Sequence, residues 1–444
     1  MRRALSITPV LFASLLTLAT LAGCRSDVTS PQRKAPPTQP RTGTSVAQPA
    51  ESDALAISQI IQQRHLPYGT IADPGFASAD PASPDYTTIT SYNRAGDAAI
   101  WTGHYLAAEA FRYAVTGSSD ALGNVRRALN GIAALVDVTS PADPGVLARF
   151  ELPQSSPYAP GILATEQHNG IYQSTLNGEP VYWIGNTSRD QYSGVMFGLA
   201  AAYDLVPDTG VRARARALVT RLLNYLIAHG WNVQMPDGSY STTFLQRPDQ
   251  QLAFLQIGRH VNPRRFALLY QTERAALAAS VGLPIQAECQ DTYGSYFKFN
   301  LDYINLYNLV RLEPQTSPFR PLYLQAYGTL RDCTGGDQNA HFNMVDRALR
   351  GADAGRDAAT ADYLGLWLER SRRDYPVDVS DRYPACGANR ACSPVPVNDR
   401  PNTDFLWQRS PLLLFGGGSG TIETAGIDFI LPYWMARYYG VLGA

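Results

Sequence analysis

Lysine, histidine and net charge are all scarce in this chain. Only Lys34 and Lys298 are lysines among 37 basic residues, six histidines are spread over 444 residues, and charged residues make up 17% with a formal net charge of −1. With no basic excess, a nucleic-acid partner is not expected. No two histidines stand at a metal-ligand spacing, and HExxH and its relatives are missing, so no catalytic metal is expected. The five cysteines contain no CxxC pair, which removes the usual four-cysteine zinc site. There is no GxSxG elbow. The glycine-rich stretch Gly416–Gly420 is not followed by Lys-Ser/Thr, so it is not a phosphate loop, and no cofactor is expected. Beyond residue 24 no apolar run is long enough to cross a bilayer.

What is present begins with an address. Arg2 and Arg3 precede an apolar stretch, Val10 to Leu21, that is too short to span a membrane and reads as the core of a signal peptide, residues 1–23. Small residues then lead to a cysteine in Leu21-Ala22-Gly23-Cys24. This resembles the lipobox of bacterial lipoproteins, which implies cleavage before Cys24, acylation of that residue and membrane attachment through the lipid anchor. The expected location is the bacterial cell envelope. Arg25 stands where an inner-membrane lipoprotein often carries Asp, which favours the outer membrane where there are two. Residues 24–52 are rich in Pro, Ser, Thr and Gln. They have too little apolar surface to offset chain entropy and are expected to form a disordered tether.

Residues 53–444 carry a helical period. Ile100, Tyr105, Ala108, Phe111 and Val115 recur at three and four, with Asp97 placed as a cap and Gly117 as a stop. Further helices are expected over 120–136, 189–206, 210–229, 264–281, 297–313, 319–332, 339–350, 358–373 and 426–440. Ser188 to Gln191 has the form of a capping box. Strand signals are local, at 178–185 and at 231–242, where Pro236-Asp237-Gly238 reads as a turn. Helices in this number, with alternately short and long connections, are the pattern expected of an all-α fold, an (α/α)6 toroid with short β-hairpins. Residues 374–424 form one long irregular stretch, expected to be functional or a lid. In an exported chain Cys289, Cys333, Cys386 and Cys392 are expected to be disulfide-bonded. Cys386 with Cys392 would make a local clip, and Cys289 with Cys333 would tie neighbouring helical segments.

Three stretches concentrate polar groups. Trp183 to Gly194 places Arg189, Asp190 and Tyr192 at the start of a helix whose remainder is almost wholly apolar or small. Capping accounts for Ser188, Asp190 and Gln191 but not for Arg189 and Tyr192. Tyr92 to His104 repeats the design with Asn93, Arg94, Asp97 and Trp101; a capping Asp and a core Trp are the plainer alternative. Near the C-terminus, Asp404, Trp407, Arg409 and Glu423 flank the glycine stretch. Asn300 lies on a mixed helix face with Tyr296, Tyr303 and Tyr307, and His341 lies in a polar knot with Asn339 and Asn343.

The segments WTGHYLAAEAFRYAVTG and TSRDQYSGVMFGLAAAYDL, with the helical architecture of residues 90–440, resemble the (α/α)6-toroid carbohydrate-active superfamily of glycoside hydrolases and polysaccharide lyases. No single family's catalytic signature is matched. The resemblance implies a polysaccharide or oligosaccharide partner and, foremost, a glycoside hydrolase working with two carboxylates. Asp190 and Asp97 are the expected pair, with Asp404 and Glu423 in reserve. Arg189, Tyr192, Trp101, Arg94, Asn300, His341, Trp407, Arg409 and Glu423 are the expected substrate-binding residues. One alternative is a lyase on uronic-acid chains using Tyr192, His341, Asn339 and Arg189. The other is a non-catalytic glycan-binding or envelope-scaffold lipoprotein.

Overall fold

The computed structural model describes residues 47–139, 145–401 and 405–443. The expected signal peptide, Cys24, most of the tether and Asp404 lie outside the described residues. In chain order the helices are α1 (Glu51–Arg64), α2 (Ala98–Thr116), α3 (Ser119–Asp137), α4 (Ala159–Glu166), α5 (Arg189–Leu205), α6 (Thr209–Ala228) and α7 (Pro248–Val261). They continue as α8 (Pro263–Leu277), α9 (Gly282–Glu288), α10 (Tyr296–Arg311), α11 (Arg320–Thr334), α12 (Ala340–Arg350), α13 (Ala354–Leu368) and α14 (Ile427–Tyr438). Helix outweighs strand by 55% to 12%, so the class is mostly helical with small sheets. No described helix is long and apolar enough to cross a membrane.

Burial sorts the long helices into two kinds. In α2 every residue from Ala98 to Arg112 is buried, α5, α7, α10 and α14 are buried on all sides over most of their length, and α12 is buried from Ala340 to Asp346. By contrast α3 buries one stripe, including Val125, Leu129, Ile132 and Val136, and α8 buries only Phe266 and Tyr270. A helix apolar on all sides must be surrounded, whereas an amphipathic one covers it from outside. The contacts follow this division. Among the buried set α2 packs on α5, α5 on α7, α7 on α10, α10 on α12, α12 on α14, and α14 again on α2. Each has an amphipathic partner, respectively α3, α6, α8, α11, α13 and α1.

In the five pairs that follow one another in the chain, α2 to α13, the buried helix and its partner are joined directly, as by Gly117-Ser118 between α2 and α3, whereas α14 and α1 come from opposite ends of the described residues. Gly117 takes φ +63°, as a C-terminal glycine does, and the Ser118 hydroxyl caps α3 by accepting from the Asp120 and Ala121 amides. The longer connections deliver the chain to the start of the next buried helix, and the hairpins sit there. They comprise β1 (Asp73–Phe76) with β2 (Ile89–Asn93), β3 (Phe150–Pro153) with β4 (Ile171–Leu176) and β5 (Glu179–Ile184) in the order β3-β5-β4, and β6 (Asn232–Gln234) with β7 (Tyr240–Thr243). Asn177 and Gly178 turn β4 into β5 with φ of +53° and +89°, the left-handed pair that a two-residue hairpin needs.

Helices α2 and α5 approach so closely that glycine is required between them. A Cβ on Gly103 would stand 2.0 Å from the Gly194 carbonyl oxygen, and one on Gly198 would stand 2.2 Å from the Gly103 carbonyl oxygen. Ile100 meets Gly194 and Gly103 meets Gly198, so the two helices run parallel with their starts together.

Several expectations change. The helix α1 begins at Glu51, inside the expected tether, because Ala54, Ile57 and Ile61 supply a buried stripe. α7 occurs where no helix is expected, its apolar body masked by the polar first turn Asp249-Gln250-Gln251. Asp97 does not cap α2; a 3-10 turn over Ala95–Asp97 leads into the helix, and no side-chain cap bond forms. The capping box of α5 is likewise absent, since Ser188 and Gln191 bond elsewhere. Both expected disulfides are present, Cys289–Cys333 and Cys386–Cys392.

Candidate functional site

The parallel starts of α2 and α5 bring Asp97 and Asp190 into one polar cluster. The Gln191 side chain spans the helices: its carbonyl accepts from the Ile100 amide at 2.9 Å and its NH2 donates to Asp97 Oδ1 at 3.2 Å. Arg149 supplies a second link. It donates to the Gly96 and Asn186 carbonyls at 2.7 and 3.0 Å and to the Ser188 hydroxyl at 2.8 Å, and it lies 3.7 Å from Asp97 Oδ1. The Ser188 hydroxyl in turn donates to Asp190, which also accepts from the Gln191 amide at 3.0 Å. Gln408, from the long C-terminal connection, donates to Asp97 Oδ2 at 3.4 Å. Both carboxylates are half-buried, so each keeps a face toward solvent.

Behind this cluster the starts of α2, α10 and α12 converge on Trp407, which is wholly buried. Its ring centre lies 4.6 Å from that of His341, 5.1 Å from His104 and 5.9 Å from Trp101, and Phe405 lies 4.0 Å from Trp101. The His104 Nε2 meets the Asn300 side chain at 3.1 to 3.3 Å. Neither His341 nitrogen, nor the indole nitrogen of Trp101 or Trp407, has a protein partner. Burial pushes the His104 pKa down to about 4, and burial followed by the nearby His104 lowers His341, so both rings are neutral near pH 7.

The remaining expected site residues scatter. Tyr192 is fully buried, with its hydroxyl accepting from the Leu147 amide at 3.2 Å and its ring against Phe244. It therefore offers no face to a substrate. Trp101, Trp407, Asn300 and His341 are buried too and present nothing to solvent as the chain stands. Arg94 pairs with Asp73 at 2.8 Å. Glu423 is not beside Asp97 as a reserve acid but in a buried ion network, with Arg64 at 3.0 Å, His65 at 3.5 Å and Arg372 at 3.7 Å. Burial alone would raise its pKa, yet the hydrogen bond from His65 and the charges of Arg372 and Arg64 outweigh this and lower it. Arg409 is exposed.

Arg189 turns away from Asp97, donating to the Thr243 carbonyl at 3.2 Å beside a cluster that local pattern does not announce. There Arg247 binds Asp249 at 2.8 Å, Glu288 at 2.5 Å and Asp302 at 2.7 Å. Burial raises the pKa of both Asp249 and Asp302 despite the pull of Arg247. Three acids on one guanidinium tie the start of α7 to α9 and α10. Arg149 and Gln408 also lie outside the expected set, since a lone Arg before a strand and a Gln in a loop carry no local signature. Among the described residues no group of three His, Cys, Asp or Glu could hold a metal ion. Compared with protein families, curated proteins and solved structures, the chain matches none.

Proposed function

We propose that this chain is a lipid-anchored envelope protein of the (α/α)6-toroid carbohydrate-active type, a glycoside hydrolase with Asp97 and Asp190 as its carboxylate pair. The order of packing among the buried helices, returning from α14 to α2 with an amphipathic helix outside each, supports the toroid. The observation that carries the activity is the joint held by Gln191, Arg149 and Ser188, which sets two half-buried carboxylates at the starts of adjacent helices. Glycoside hydrolysis needs such a pair, one carboxyl giving a proton to the leaving oxygen and the other activating water or attacking the sugar, with their separation setting the stereochemical outcome.

Two alternatives remain as outcomes of the same test. A lyase would draw on Tyr192 and His341, and the burial of both favours the hydrolase over it. The other is a glycan binder without turnover. The test incubates the full chain with neutral and acidic polysaccharides, reading reducing ends and ultraviolet absorbance together. New reducing ends are expected, with Asp97→Asn and Asp190→Asn each lowering the rate about 10²- to 10⁴-fold. Ultraviolet-absorbing unsaturated ends would instead establish the lyase. Binding by the folded chain without new ends would establish the binder. Cys24→Ala is expected to release the chain from the membrane fraction.

A further inference from the structure

We propose that the space held by the Trp407 indole is a subsite for one uncharged pyranose ring, and that Phe405 to Gln408 form a plug which the sugar displaces. This rests on the carbohydrate reading above and names the class of sugar and the way in. The first observation is the polar lining around an apolar plug. Both nitrogens of His341 and the indole nitrogen of Trp101 are buried against Trp407 with no protein partner. A buried polar atom without a partner is costly and rare. A leucine in place of His341 would pack against an indole without that cost, so the imidazole is explained by an occupant with hydroxyl groups. A pyranose supplies both needs at once, C–H faces for Trp101 and hydroxyls for His341 and Asn300.

The second observation is the absence of a cation among the rings packed on Trp407. These rings are His104, His341 and Trp101, with Asn300 behind His104, and burial keeps both imidazoles neutral. A uronate carboxylate in this chamber would lose its water with no counter-charge; an uncharged ring would not. The third observation links the chamber to the carboxylates. Gln408, next to Trp407, places its amide on Asp97 at 3.4 Å, where a sugar hydroxyl would bond. The plug thus occupies the ring position and the hydroxyl position together. It is fastened by the Leu406 amide on Asp428 at 3.2 Å and by a turn from the Gln408 amide to the Phe405 carbonyl at 3.0 Å, and it belongs to the long connection before α14 rather than to a helix.

The experiment labels the six tryptophans of the full chain with 5-fluorotryptophan, assigns the Trp407 fluorine signal with Trp407→Phe, and titrates cello-, malto-, laminari- and mannohexaose, with hexagalacturonate as the charged probe. At least one neutral hexaose is expected to move the Trp407 signal, and Trp407→Ala is expected to bind that hexaose at least tenfold more tightly because its competitor is gone. Should Trp407→Ala not fold, Gln408→Ala, which unties the plug from Asp97 and leaves the indole in place, is expected to bind about two- to fivefold more tightly. A hexaose that binds or is cleaved while the Trp407 signal stays still overturns the plug and leaves the carbohydrate reading standing. A signal moved by hexagalacturonate alone overturns the uncharged class. No binding or cleavage of any probe overturns both.

Discussion

Replacing Gly103 by alanine pushes a methyl group into the backbone of the helix it touches. The added carbon would lie 2.0 Å from the Gly194 carbonyl oxygen and 2.7 Å from the Val195 nitrogen, well inside van der Waals contact. Both obstacles are main-chain atoms in the buried body of α5, so no change of rotamer relieves them. Helices α2 and α5 must move apart by about 1 Å, and a gap of 0.5–1 Å forfeits about a quarter to a half of each dispersion contact across it. Overpacking costs about 1–3 kcal/mol where side chains can yield. Here neither wall can yield, and about 4 kcal/mol is expected, less the roughly 1 kcal/mol that alanine gains over glycine inside a helix. The net loss is about 3 kcal/mol. Gly123, exposed in the second turn of α3 with nothing within 4 Å of an added carbon, isolates the propensity term, and Gly123→Ala should gain up to about 1 kcal/mol. Urea unfolding of the full chain with its disulfides oxidised, followed by far-ultraviolet circular dichroism and tryptophan fluorescence, measures both. A Gly103→Ala midpoint equivalent to within about 1 kcal/mol of the parent would refute the close parallel packing, and with it the alignment of Asp97 with Gln191.

Two further outcomes follow from burial and from loop length. Glu151 lies in β3 opposite Trp183, and burial pushes its pKa from 4.5 up to about 7. The folded chain then holds a proton that the unfolded chain releases, so stability falls as pH rises from about 4.5 to 7. Glu151→Gln should abolish that fall and gain up to about 3 kcal/mol at pH 8, and equal pH profiles for the two proteins would contradict it. The Cys289–Cys333 bridge closes a span of 44 residues and Cys386–Cys392 one of 6. Chain entropy puts their contributions at about 4 and about 2 kcal/mol. Paired alanine substitutions, compared by urea midpoint, should show the first costing more, and the reverse order would count against the entropic account.

Much of the framework is legible in the chain because it is local. The period of three and four that marks α2, the glycine stop at Gly117, the turn at Pro236-Asp237-Gly238, where Gly238 takes φ +85°, and the short interval between Cys386 and Cys392 each depend on neighbours within a few residues. Helix α7 escapes notice for the same reason: its first turn is polar, and its burial comes from α5 and α10. The capping roles of Asp97, Ser188 and Gln191 look plain on local grounds and do not form. Two of those side chains find partners distant in the chain, Gln191 on the Ile100 amide of α2 and Ser188 on Arg149 just before β3.

By itself the sequence determined the helical class, the local Cys386–Cys392 clip, which leaves Cys289 for Cys333, and the polar starts of α2 and α5, since periodicity and short spacing act over a turn or two of chain. Only the tertiary structure decided that Asp97 and Asp190 share a cluster, that Glu423 is locked in an ion network, that Arg247 gathers three acids, and that Trp407 fills the interior. Gln408 and Asp97 are 311 residues apart in the chain and in contact in the fold. No local pattern encodes such a pair, because its free energy arises only when distant segments have lost their water together.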